Sequence, residues 1–368
     1  MRYADPIEHA GRAGSFDIER DLICTADAKG YFSSLNSGWE RLLGWTRQEL
    51  MSRPFIDFVH PADRERTVAE SEKLTRLDYE VVNFENRYRA RGGGWRWLRW
   101  SARSDGETWF AVAFDITEEK EREGRLRAML DDDHLLAYSQ PILDQRRGSV
   151  AQEELLVRMQ APLGADGAAP SPPGDGTVIS PSEFLPDAER CGLIGLVDRW
   201  MVAQGVATAG LGRRSEVNLS ARSVGDQALA RELEESIARA GRSAENLILE
   251  ITETAALENI DAALDFAERL TRLGCRFALD DFGTGFSSLT YLRLLPVSYL
   301  KIDSSFVRNV AHDRDDQAMV RGIVAIAREL GLLTVAEGVE DRAALELVRS
   351  YGVDFAQGFL IGRPAPLV

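Results

Sequence analysis

Seven short apolar runs in the second half of the chain end on, or next to, a side chain able to hold a hard cation or a phosphate. These side chains are Glu154, Asn218, Glu250, Asp280 with Asp281, Lys301, Glu337 and Gln357. One acid at such a place is ordinary, as a helix cap or an ion-pair partner. Seven in succession are not, because strand ends converge on one face when strands and helices alternate into a barrel. Carboxylates and an amide oxygen gathered there repel one another, so cations must supply the balancing charge. Oxygen donors of this kind suit Mg²⁺ or Mn²⁺. The adjacent acids of "RFALDDFGTGFSSL" (276–289) offer one carboxylate that bridges and a second beside it. A pair of metals about 4 Å apart, activating water against a phosphate, requires that arrangement. Lys301, behind the apolar pair of "YLKID", is placed to orient the water or to neutralise charge during attack.

The elements that must position these groups are legible as alternating patterns. From about residue 133, strand candidates alternate with helical stretches: "LLAYSQPIL", "SVAQEELLVRM", "SEVNLS", "NLILEITE", "RFALDDFG", "YLKID", "LLTVAEGVE" and "FAQGFLIG". Eight strands in roughly 235 residues match the size of a β/α barrel. Helices such as "LDFAERLTRLG" and "QAMVRGIVAIARELG" end at Gly274 and Gly331, where a C-terminal glycine belongs. The segment 162–181, rich in Gly and Pro, reads as a loop. Residues 15–117 differ: a hairpin about "DAKG", a helical stretch from "SGWERLLGW" to "PFIDFV", then three strands separated by "RGGG" and "SDGE" turns. This predicts an α+β unit with an antiparallel sheet. Charged, helix-favouring residues follow. The expected organisation is a tail over 1–14, the α+β unit over 15–117, a connecting helix over 118–132 and the barrel over 133–368.

Charge narrows the partners. Residues 1–130 carry 21 basic and 23 acidic side chains, a net of −2, and residues 131–368 carry 23 and 36, a net of −13. An acidic barrel is unsuited to nucleic-acid polymers, which need a basic face. No run approaches 18 apolar residues, so no membrane span is expected. The opening "MRYADPIEHAGRAGS" lacks the apolar core of a secretory signal. Cys24, Cys191 and Cys275 are far apart, without CxxC spacing, and read as reduced thiols of a cytoplasmic protein.

The barrel motifs also carry a resemblance. "EELLVRM" (153–159) resembles the Glu-x-Leu-x-Arg signature of the EAL family of cyclic di-GMP phosphodiesterases, and "VNLSARS", "LEITET", "ALDDFGTGFSSL", "YLKID", "VAEGVE" and "QGFLIGRP" are similar to its other motifs in order. The resemblance covers about residues 133–368. It implies a TIM-like barrel with one strand antiparallel, two divalent cations (Mg²⁺ or Mn²⁺) and hydrolysis of cyclic di-GMP to linear pGpG. Carried over by position, it makes Glu154, Asn218, Glu250 and Asp280 ligands of one metal. Asp280 and Asp281 would bind the second, with Glu337 as ligand or proton acceptor. Lys301 would hold the attacking water, and Gln140, Arg158 and Gln357 would contact the dinucleotide. Glu253 would brace the "DFGTGFSS" loop, which in the family lies near a homodimer interface. One departure is Leu155, where the family name has alanine; a strand neighbour of Glu154 points away from the interior, so packing should change rather than chemistry. Two other readings are a silent cyclic di-GMP receptor and a different metal-dependent phosphoesterase.

Residues 15–117 resemble a PAS domain, through "LNSGWERLLGWTRQEL", "FVHPADR", the "RYRARGGGWRWLRWSA" hairpin and "FDIT". The resemblance implies a regulatory sensor and names no ligand. His60 and the tryptophans Trp95, Trp97 and Trp100 read as structural, and no "GGDEF"-like synthase motif occurs.

Overall fold

In the computed structural model the chain divides into two compact units, residues 1–125 and 126–368. The residues described are 21–74, 79–131, 134–161, 178–258, 260–283 and 292–368. The expected tail over 1–14 and most of the expected loop over 162–181 therefore lie outside the described residues.

The first unit is built on five strands, β1 (Asp21–Asp27), β2 (Phe32–Leu35), β3 (Glu80–Arg89), β4 (Trp95–Ser104) and β5 (Thr108–Asp115). They pair antiparallel in the order β2-β1-β5-β4-β3. Alternation sends Leu22, Cys24 and Ala26 of β1 inward. There they join an aromatic core in which Trp39, Tyr88 and Trp100 lie with ring centroids 5.4 to 6.0 Å apart. The helical stretch expected from "SGWERLLGW" onward consists of two short helices, Gly38–Leu43 and Arg47–Met51, and a 3₁₀ turn. Gly44, at φ 74°, ends the first helix, and a capping box between Thr46 and Glu49 starts the second. His60 Nδ1 accepts from the Ala62 N–H and its ring packs edge-on against Trp95. A helix follows over Thr117–Asp131.

In the second unit, β6 (Leu135–Asp144), β7 (Ser149–Gln160), the short β8 (Val178–Ile179), β9 (Ser215–Leu219), β10 (Leu247–Thr252), β11 (Arg276–Phe282), β12 (Tyr299–Ile302), β13 (Leu333–Ala336), β14 (Phe355–Gln357) and β15 (Ala365–Pro366) form one sheet. Eight of these, all but β8 and β15, close into a barrel. Its strands are parallel except β6, which is antiparallel to both β7 and β14, as expected. The end of the segment read as loop is ordered: β8 pairs with Met159 and Gln160, and a helix starts at Pro181.

Two cores result. The larger fills the space between strands and surrounding helices and includes Leu155, 1% exposed. The smaller, Ile142, Ile248, Ala278, Tyr299, Val335 and Phe355, comes from strands alone and fills the barrel interior. Among the described residues no helix is long and apolar enough to cross a membrane.

Candidate active site

Alternate side chains of a strand face one way, so the residue two beyond each member of the inner core also faces inward, nearer the strand's C-terminal end. Ile248 is followed in this way by Glu250, Ala278 by Asp280, Tyr299 by Lys301, Val335 by Glu337 and Phe355 by Gln357. On β6, which runs the other way, Ile142 is preceded by Gln140. Glu154 and Asn218 complete this level from β7 and β9. A polar floor thus lies directly above an apolar one.

Lys301, 1% exposed, occupies the centre of this level. Its Nζ lies 2.8 Å from Glu250 Oε2, 2.7 Å from Glu337 Oε1, 3.6 Å from Asp280 Oδ1 and 3.8 Å from Glu154 Oε2. Burial opposes the ammonium charge, but Asp280, Glu154, Glu250 and Glu337 outweigh it and hold the Lys301 pKa well above its ordinary value. Glu154 is gripped from both sides: Asn218 Nδ2 donates to Oε1 and Gln357 Nε2 to Oε2, each at 2.6 Å. Gln357 Nε2 also reaches Gln140 Oε1 at 3.2 Å, while Gln140 Nε2 donates to the Gly362 carbonyl at 2.9 Å. The turn beside Gln357 needs Gly358, where any Cβ would come within 2.2 to 2.6 Å of the Val339 backbone.

The adjacent acids are brought together by an irregular strand end. The register of β11 against β12 shifts between Leu279 and Phe282, and Asp281 takes a left-handed backbone, φ 54°. Aspartate tolerates that conformation better than most residues. Regular alternation would send neighbouring side chains to opposite faces, yet here Asp280, Asp281 and Glu337 each present a carboxylate oxygen within 4.8 Å of the others. Three hard oxygens at that mutual spacing fit a divalent cation. Burial, together with Asp280 and Asp303, raises Asp281 to about 6. Burial, with Asp280 and Glu154 against Lys301, raises Glu337 to about 8. The cluster opens on a 270 Å³ cavity past Glu154, Glu337 and Gln357, and on a 500 Å³ cavity past Asn218 and Asp281. Asp280 borders both.

Eight of the residues singled out from the sequence for chemistry therefore meet: Glu154, Asn218, Glu250, Asp280, Asp281, Lys301, Glu337 and Gln357, with Gln140 beside them. Arg158 lies four residues beyond Glu154 on β7, with its guanidinium 5.3 Å from the Tyr138 ring and Nη1 donating to the Val157 carbonyl. Among the described residues it forms no ion pair, and burial lowers its pKa. Glu253 is buried at the start of the helix Glu253–Glu258. Residues 284–291 of the loop it is expected to brace lie outside the described residues.

Three participants are absent from the sequence reading. Asp303 hydrogen-bonds Asp281 and caps the helix Ser304–Val307 by accepting from the Ser305 N–H at 2.9 Å. Gln152 and Glu216 lie beneath Glu154 and Asn218, and Gln152 Nε2 donates to Glu216 Oε1. Both stand two residues before an expected ligand, a spacing that places them on the same strand face. Burial raises the Glu216 and Glu250 carboxyls.

A family model described as EAL domain matches residues 123–364, and one described as PAS fold matches residues 32–109. The bifunctional diguanylate cyclase/cyclic di-GMP phosphodiesterase MucR of Pseudomonas aeruginosa is 38% identical over 248 residues, 66% of this chain and 34% of that protein. The cyclic di-GMP phosphodiesterase PdeF of Escherichia coli is 36% identical over 250 residues, 66% of this chain and 32% of that protein. A solved structure described as the PaMucR phosphodiesterase in complex with c-di-GMP aligns with a TM-score of 0.60 at 37% identity, over 67% of this chain and 98% of that one. The chain spans about a third of the length of the curated relatives it matches. Because the EAL match runs over well more than half of its residues, this protein belongs to the EAL domain family and carries a PAS fold ahead of its barrel.

Proposed function

We propose that the barrel hydrolyses cyclic di-GMP to linear pGpG with two divalent cations, Mg²⁺ or Mn²⁺. The observation that carries this reading is the convergence of Asp280, Asp281 and Glu337 beside Lys301 at the open end of an EAL barrel. Glu154, Asn218, Glu250 and Asp280 would hold one cation, and Asp280 with Asp281 the other. The chemistry such cations supply is activation of water and stabilisation of phosphate oxygens during in-line displacement. Lys301 orients the water and offsets charge that builds on the phosphate. Glu337, as ligand of the second cation or as proton acceptor, would take a proton from that water as its oxygen bonds to phosphorus; the bond from phosphorus to the 3′ oxygen breaks, and that oxygen takes a proton from solvent to leave as the 3′ hydroxyl. Gln140, Gln357 and Arg158 orient the dinucleotide, Arg158 through the planar fork that suits a phosphate.

Purified protein incubated with cyclic di-GMP and either metal should yield pGpG, separated by chromatography, and Asp280→Asn should abolish the product. Tight cyclic di-GMP binding with no product under either metal would establish the silent receptor instead. The same reading makes the PAS unit the regulator of a cytoplasmic homodimer formed through the connecting helix and the loop after Asp281. Light scattering reports the oligomer. Activity that is indifferent to removal of residues 1–117 would sink the regulatory part alone.

A further inference from the structure

Gln140 and Glu154 stand directly opposite each other on β6 and β7, and Gln357 reaches them from β14, on the other side of β6. Both glutamines are deeply buried, 8% and 4% exposed. A primary amide turned by 180° keeps its shape but exchanges its donor for its acceptor. Beside a carboxylate the two orientations are not equivalent. One sets an N–H against Glu154, and the other sets an oxygen there.

The backbone decides between them. The Gly362 carbonyl can only accept, so Gln140 turns its Nε2 toward it, at 2.9 Å. Gln140 Oε1 then faces Gln357 and can only accept, so Gln357 presents its Nε2, at 3.2 Å. The same Nε2 donates to Glu154 Oε2 at 2.6 Å. Reversal of either amide would set oxygen against oxygen. This orientation carries a cost, because Gln357 Oε1 is buried and has no donor among the described residues. It also requires residue 362 to lie close against β6, which a side chain would obstruct: a Cβ at Gly362 would stand 2.5 Å from Pro141 Cγ.

We propose that Gln140, anchored by the Gly362 carbonyl, is a positioning residue that sets the amide of Gln357 and, through it, the Glu154 carboxylate at the cation site. The inference rests on the reading that this cluster holds divalent cations, and it adds a role to the dinucleotide contact proposed for both glutamines. Groups that orient a ligand from behind change metal affinity or activity by about 10–100-fold when removed.

Mn²⁺ titration of the full chain without substrate, followed by electron paramagnetic resonance, tests it apart from turnover and from any contact with the dinucleotide. Gln357→Met, which keeps the volume and removes the donor, should weaken Mn²⁺ binding by about 10–100-fold. Gln140→Met, one contact further back, should weaken it by about tenfold, the lower end of that range, with an unchanged far-ultraviolet circular dichroism spectrum. Because both act on Glu154 through one contact, the double variant should bind no worse than Gln357→Met. Wild-type affinity in Gln140→Met, or losses that multiply in the double variant, overturns the proposal. If Gln140→Met does not fold, Gln140→Asn decides, since its shorter amide cannot span the Gly362 carbonyl and Gln357 together: weakened binding supports the role and unchanged binding overturns it. Failure of the wild type to hydrolyse cyclic di-GMP, with Mn²⁺ binding intact, would sink the enzymatic reading and leave this one standing. Failure to bind Mn²⁺ at all would sink this one.

Discussion

The barrel interior has two levels made from the same strands, only two residues apart, and they differ in kind. The lower level is Ile142, Ile248, Ala278, Tyr299, Val335 and Phe355, and its aromatic pair Tyr299 and Phe355 lie with centroids 6.0 Å apart. Burial of each large apolar side chain there contributes about 1.5–3 kcal/mol. The upper level gathers four carboxylates about one lysine. Burying such charges costs folding energy that their mutual contacts only partly recover. Stability is thus concentrated in one level and the proposed chemistry in the next, and the step between them is one period of the strand. Gln152 and Glu216 cross the division.

The sharpest way to break this contrast is to remove the lysine. Lys301→Met should lower turnover by about 10²–10³-fold and the stability of metal-free protein by about 3–5 kcal/mol, because four carboxylates lose their cation. Equal urea midpoints for the variant and the wild type would show that the charged level is not held by that lysine. One level down, Ile248→Ala should cost about 2–5 kcal/mol while turnover per folded molecule is kept. Lost turnover at full stability would erase the separation of the two levels.

The smallest effect is the dependence of metal-free stability on pH. Glu337 and Asp281 release their protons in the folded state near 8 and 6, whereas their ordinary values are 4.5 and 3.8. Between those limits the folded chain retains protons that the unfolded chain has already lost. Stability must therefore fall as pH rises from about 5 to 8. Thermal unfolding in a chelator should show Tm lower by about 2–4 °C at pH 8 for each kcal/mol lost, and Mn²⁺ should remove most of the trend. A metal-free Tm that climbs over this range would mean that neither carboxyl is raised.

Much of this was legible in the residues. Apolar runs closed by polar residues marked the strands of the barrel, and their order marked the residues that meet at its open end. Gln152 and Glu216 were not found, because a polar residue inside a strand looks like a solvent-facing one until its neighbours' directions are known. Once Glu154 and Asn218 are placed inward, a separation of two puts Gln152 and Glu216 inward as well. The helical stretch after Leu35 is divided at Gly44, which ends one short helix, and at Thr46, which caps the next.

Residue types and spacing by themselves determined the inward face of each strand, since the side-chain period of two is a property of the extended backbone. They determined the set of oxygen-bearing side chains that meets at the open end of the barrel. The tertiary structure alone decided how these groups share one another: Glu154 between two amides, Lys301 among four acids, Glu216 under Gln152. It also decided that both aspartates and Glu337 come together, at a strand end where Asp281 takes a left-handed backbone within the register shift between β11 and β12. Contacts between different strands, such as Lys301 with Glu250 and Glu337, are set by how the strands assemble into the barrel, and no local pattern encodes them.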